Sequence, residues 1–124
     1  MHLLCAEDNL SNEFVIGKFL AVLGHTYEFV PDGLQVVERA RSGEFDAILM
    51  DVHLPELDGI AATLKIREDE ASNSRARVPI IAVTASATHG DPKNCLSAGM
   101  DYHLAKPLRI PQIEEALKTV CTAK

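Results

Sequence analysis

Glu7-Asp8, Asp51, Thr84 and Lys106 each follow directly on a short apolar run, namely Leu3-Leu4-Cys5-Ala6, Ala47-Ile48-Leu49-Met50, Ile80-Ile81-Ala82-Val83 and Tyr102-His103-Leu104-Ala105. Gathered at one spot, three carboxylates, a hydroxyl and a lysine suit phosphoryl transfer at a site with its own metal seat. A carboxylate is repelled by an anionic phosphoryl group, and clustered carboxylates push one another toward protonation. A divalent cation answers both difficulties. Mg²⁺ takes hard oxygen ligands, keeps several waters, and commonly uses one or two carboxylates plus phosphate oxygens. Catalysis of a loose transition state is then positioning and charge stabilisation, by the metal, Lys106 and backbone N–H groups near Asp51 and Thr84. Taken singly, each residue has a plainer role: acidic groups suit helix starts, threonine suits strands, and lysine is usually a solvated charge. Their shared placement at strand ends favours the chemical reading.

The elements that must position these residues are legible in the same pattern. Near-continuous apolar runs separated by helix-periodic stretches describe a parallel sheet buried on both faces. Right-handed crossovers put the carboxyl ends of all its strands on one edge, where ligands of open α/β sheets bind. Ser11 is the expected N-cap of a first helix that carries Val15, Ile16, Phe19, Leu20 and Leu23 inward up to Gly24. Thr26–Val30 reads as a strand, and Pro31-Asp32-Gly33 is turn chemistry that leads into a second helix over 34–41. A third helix is expected from Asp58-Gly59, with Ile60, Leu64 and Ile66 inward, fraying beyond Arg67 into a long charged loop over 68–77. Asp91-Pro92 reads as N-cap and first residue of a short fourth helix ending at Gly99. A fifth spans 110–120, with Ile113, Ala116, Leu117 and Val120 inward. The count is five strands and five helices in one domain over 1–124.

Composition narrows the function classes. The chain has 124 residues, 47% of them apolar, enough for one core. A net charge of −6 offers no basic field for nucleic acid and favours a cation-attracting site. Cys5, Cys95 and Cys121 are odd in number and in no CxxC arrangement, which points away from a disulfide framework or zinc knuckle and toward a reducing cytosol. No signal peptide or long apolar span is read, so a soluble cytoplasmic protein without direct membrane contact is expected. The five histidines show no pair at helical ligand spacing, so no transition-metal site is expected.

The chain resembles the receiver domain of two-component response regulators, most closely the receivers of hybrid histidine kinases. The likeness runs over essentially the whole chain. It is carried by Ala6-Glu7-Asp8-Asn9 with Asn12 and Val15, by the stretch from Leu49 through Asp51 and Pro55 to Asp58-Gly59, by Pro79-Ile80-Ile81-Ala82-Val83-Thr84-Ala85, and by Ala98-Gly99-Met100-Asp101 running on to Leu104-Ala105-Lys106-Pro107. The resemblance implies a flavodoxin-like (βα)5 fold, a doubly wound parallel sheet of order 2-1-3-4-5 with helices on both faces. It implies that Asp51 accepts a phosphoryl group from a phosphohistidine, on a histidine kinase or histidine phosphotransfer protein. Asp8 and Asp51 would hold Mg²⁺, Glu7 its water, and the backbone carbonyl of His53 would complete the protein ligands. Thr84 would bond one phosphoryl oxygen and Lys106 neutralise another, with a cis peptide at Lys106-Pro107. His53 would border the phosphoryl group, where it either tunes its lifetime or only narrows water access.

Two departures from the family pattern bear on the switch. The position three before the lysine usually holds tyrosine or phenylalanine and here holds His103, while Tyr102 belongs to the other strand face. Either His103 serves as the switch ring or the coupling is weak. Gly90 and Pro92 shorten the fourth helix, part of the family's usual output face.

The expected function is a phosphorelay receiver that takes a phosphoryl group on Asp51 and passes it on or loses it to water, self-catalysing both steps and signalling to a downstream protein partner. Phosphorylation would bias a two-state arrangement rather than build a new fold. Glu7-Asp8-Asn9 and the charged stretch over 68–77 favour a module of a hybrid kinase over a stand-alone regulator. The rivals are a pseudo-receiver that only docks proteins, and a haloacid-dehalogenase-type phosphatase, against which His53 stands where that family has a second Asp. On the first helix, Phe14, Val15 and Ile16 are consecutive and at most two can face the core. Phe14 is the expected exposed one, a candidate contact for the phosphohistidine donor.

Overall fold

Period-two alternation along the strands decides how this chain builds two cores. In the computed structural model, which describes residues 1–52, 54, 56–74, 77–84, 96–106 and 108–122, five parallel strands form one sheet. They are β1 (His2–Ala6), β2 (Thr26–Val30), β3 (Ala47–Asp51), β4 (Ile80–Thr84) and β5 (Tyr102–Ala105), in the order β2-β1-β3-β4-β5. The expected topology is thus observed. Leu3, Cys5, Leu49, Ile81 and Val83 point to one face, where they pack with Ile16 and Leu20 of helix α1 (Leu10–Val22) and with Ile113, Ala116 and Leu117 of the C-terminal helix (Ile110–Thr122). Leu4, Ala6, Ile48, Met50, Ile80 and Ala82 point to the other. There they meet Val36 and Val37 of α2 (Gly33–Ala40) and Ala62 and Ile66 of α3 (Gly59–Ser72). Each fully buried leucine or isoleucine contributes roughly 1.5–3 kcal/mol, so the two layers hold the sheet from both sides. Residues 96–98 are helical, matching the end of the expected fourth helix, whose start at Asp91-Pro92 lies outside the described residues.

Several local expectations are corrected. The N-cap of α1 is Asn9, whose side chain accepts the Asn12 N–H, and Ser11 already lies inside the helix. Asn and Ser are equally good caps, so residue type alone could not choose between them. Val15 is 44% exposed beside Phe14 at 64%, leaving Ile16 as the one inward residue of the three. Leu64 faces solvent, and Thr63 is buried in its place, its hydroxyl donating to the Gly59 carbonyl. Helix α3 also continues past Arg67 to Ser72.

The reason for that continuation is electrostatic. The Arg67 guanidinium donates to the carbonyls of Gly99 and Val78 and to the carboxylates of Glu70 and Asp101. Asp101 accepts the Ile80 N–H and an Arg77 bond as well, and Glu70 accepts the Val78 N–H. A polar knot therefore docks the last turns of α3 where apolar periodicity is missing. Among the described residues, no helix is long and apolar enough to cross a membrane.

Candidate phosphoacceptor site

The carboxyl ends of the strands are laced together before any side chain is considered. Glu7 N–H donates to Val30 O, Val52 N–H to Val83 O, and Lys106 N–H to Thr84 O, at 2.7–3.1 Å. Each bond fixes the residue that leaves a strand against the neighbouring strand. The functional side chains therefore start from a rigid edge.

On that edge Glu7, Asp8 and Asp51 each place a carboxylate oxygen within 4.8 Å of the other two. Glu7 and Asp51 are buried and Asp8 is exposed. Lys106 bridges the buried pair, its Nζ 3.0 Å from Glu7 Oε1 and 3.1 Å from Asp51 Oδ2. Burial works to lower the lysine pKa, but bonds to Glu7 and Asp51 outweigh it and hold the group above its ordinary value. The ammonium is thus charged throughout the physiological range, beside the carboxylate that would carry a phosphoryl group. All-oxygen donors of hard character, two buried and one open to solvent, fit Mg²⁺ and suit neither zinc nor copper.

Thr84 is buried at the end of β4, and its Oγ1 shares a hydrogen bond of 2.9 Å with His103 Nε2. Tyr102 packs instead with the α1 side of the core. The alternation read from sequence thus places the histidine, and not the tyrosine, against the threonine. His53 and Pro107 lie outside the described residues. Phe14 stands on α1 with Lys18 Nζ 4.6 Å from its ring centroid. Between that helix and the site is a groove of about 370 Å³ lined by Asn12, Val15, Ile16, Lys106 and Leu108.

Sequence reasoning missed the double bridge made by Lys106 and the role of Asn9. Besides capping α1, Asn9 donates its backbone N–H to Glu7 Oε2 and so holds the carboxylate. An asparagine just ahead of the helix was the available signal for the cap, whereas a backbone donor carries no residue signature.

Residues 3–118 match the response regulator receiver domain. The chain belongs to that family. It is 37% identical over 119 residues to hybrid signal transduction histidine kinase B of Dictyostelium discoideum, covering 90% of this chain but only 6% of that kinase's length. Among solved structures, the receiver domain of the sensor histidine kinase PA1611 from Pseudomonas aeruginosa, with magnesium coordinated in its active-site cleft, is 45% identical with a TM-score of 0.86. The alignment covers 98% of this chain and 97% of that one. The receiver domain of the Saccharomyces cerevisiae response regulator Ssk1, solved with the histidine phosphotransfer protein Ypd1, has a TM-score of 0.90 at 29% identity. That alignment covers 98% of this chain and 89% of that one.

Proposed function

We propose that this receiver accepts a phosphoryl group on Asp51 from a phosphohistidine and signals through the conformation of Thr84 and His103. A buried carboxylate at a strand end, bridged by a charged lysine and flanked by two further carboxylates, carries this reading. An Asp51 carboxylate oxygen attacks phosphorus, an O–P bond forms as the N–P bond breaks, and the imidazole leaves with the electron pair. Later attack by water releases phosphate and restores the carboxylate. Lys106 neutralises a phosphoryl oxygen and Thr84 donates its hydroxyl proton to another. Asp8 and Asp51 would hold Mg²⁺, with Glu7 on its water and the His53 carbonyl as a further ligand. When bound, the metal supplies the charge compensation that lets a carboxylate approach an anion.

The donor is a histidine kinase or a histidine phosphotransfer protein, as the Ypd1 complex of the Ssk1 receiver supports by analogy. Phe14, with Leu10 and Val15, gives that donor an exposed apolar ridge on α1. Phe14→Ala should slow transfer from the protein donor roughly tenfold, the usual reach of an interface anchor, while leaving small-molecule phosphodonors unaffected. Equal rates from the protein donor would remove Phe14 from the interface. The setting is cytoplasmic, as a module of a hybrid kinase whose output leaves through a protein partner.

The deciding experiment is an amide NMR titration with Mg²⁺ and beryllofluoride on the wild type and Asp51→Asn. Thr84 and His103 should shift with the mimic in the wild type alone. Unchanged spectra in the wild type would leave a protein-docking module without phosphoryl chemistry.

A further inference from the structure

Two glycines press on the backbone around the phosphoacceptor, one at Asp51 and Val52 and one at Leu57. Gly59 opens α3, and its N–H donates to the Val52 carbonyl at 2.9 Å. A methyl group there would overlap the Asp51 carbonyl oxygen and lie 2.9 Å from Val52 Cα, so α3 already abuts the backbone of the acceptor residue. Gly33 opens α2, far away in sequence. A methyl group on it would overlap the Leu57 carbonyl oxygen, 2.7 Å from the carbonyl carbon and 2.9 Å from Cβ. The positive-φ glycines are Gly24, Gly43 and Gly99. Gly33 thus needs no special backbone conformation, and only the closeness of Leu57 demands a missing side chain. Next to Leu57, Glu56 holds φ 65, a conformation costly for a residue with a Cβ, so packing imposes the backbone at this point.

We infer that Gly33 is a positioning residue for the phosphoacceptor: through Leu57 it sets the entry to α3, which abuts Asp51. The chain of contact is backbone at both ends, with the Asp58 side-chain cap between them. Gly33 bears on the Leu57 carbonyl, Asp58 caps α3 by accepting the Ala61 N–H, and Gly59 bears on Asp51. A side chain at 33 must displace Leu57 by roughly 1 Å or more to reach ordinary van der Waals separation. Gly59 has no clearance through which to absorb that shift. The displacement therefore arrives at Asp51 and Val52, where carboxylate geometry sets metal affinity. This inference rests on the phosphoacceptor reading of Asp51.

The test compares Mg²⁺ affinity, by amide NMR, in the wild type, Gly33→Ala and Gly43→Ala. Gly43 has φ +72 with nothing within 4 Å of an added methyl, so its variant loses stability without pressing on any loop. Gly33→Ala should bind Mg²⁺ about tenfold more weakly, the scale on which displaced supporting groups act, and should shift Val52, Leu54 and Gly59. Gly43→Ala should keep the wild-type affinity. A smaller loss in Gly33→Ala, or an equal loss in Gly43→Ala, overturns the inference. If Gly33→Ala does not fold in buffer alone, the same titration is run in trimethylamine N-oxide, which favours the compact state, with the wild type in the same solution as reference. A tenfold weaker Mg²⁺ affinity is again expected, and an equal affinity overturns the proposal. A wild type that binds no Mg²⁺ sinks the phosphoacceptor reading itself, whereas normal wild-type binding with an unaltered Gly33→Ala sinks only the positioning role.

Discussion

Lys106 stands between two buried carboxylates, and removing it should separate its structural role from its chemical one. Lys106→Ala removes the ammonium that bridges Glu7 and Asp51, a loss of about 3 kcal/mol for a broken buried pair. Added Mg²⁺ should restore much of this, so thermal unfolding ought to show a larger Mg²⁺-induced rise in Tm for the variant than for the wild type. An equal rise would mean that lysine and metal do not share the carboxylates. Because the folded pKa of Lys106 is raised, its contribution is complete below the ordinary lysine value of about 10.4 and fades as pH climbs through the folded value. Denaturant unfolding should accordingly show this contribution constant at neutral pH and declining only on the alkaline side. Cys5 makes a second residue-scale case. Burial first, then Glu13 and Glu7, push its thiol far above the usual range. Thiol alkylation should spare Cys5 in the native protein and modify it in urea. Modification at equal rates in both conditions would place Cys5 outside the core.

At the scale of elements, α3 shows where periodicity stops being a guide. The charged stretch after Ile66 carries no apolar repeat, yet the helix continues because Arg67 satisfies four acceptors on three different segments. Arg67→Lys should destabilise the fold nearly as much as Arg67→Ala, by about 3 kcal/mol in urea unfolding. An ammonium cannot reproduce the planar fork that reaches Gly99, Val78, Glu70 and Asp101 together. Full rescue by lysine would reduce the knot to a simple charge effect. By contrast, the start of the same helix was readable from Asp58-Gly59, where the Asp58 side chain caps it. Phe14 was legible for a related reason: three consecutive apolar residues cannot all face inward. Which of its neighbours joined it outside was not, and Val15 did.

Across the whole molecule, metal binding and folding should be linked. Any ligand that binds only the native state stabilises it, by about 2.7 kcal/mol at a hundredfold excess over Kd, or about 10 °C in a domain of this size. Calorimetry with saturating Mg²⁺ should show such a rise in the wild type and little of it in Asp51→Asn; equal rises would place the metal elsewhere. The sequence by itself determined the sheet, its two-faced core and the residues at the ends of its strands, because apolar alternation and run length are local properties that any segment displays on its own. Only the tertiary structure decided which of those residues touch. Lys106 meets Glu7 and Asp51 across separations of 99 and 55 residues, and His103 reaches Thr84 across 19. Gly33, at the start of α2, likewise meets the carbonyl of Leu57, which lies just ahead of α3. Such contacts depend on strand order, register and the clearance between backbones, and these are settled when the layers pack together rather than within any one segment.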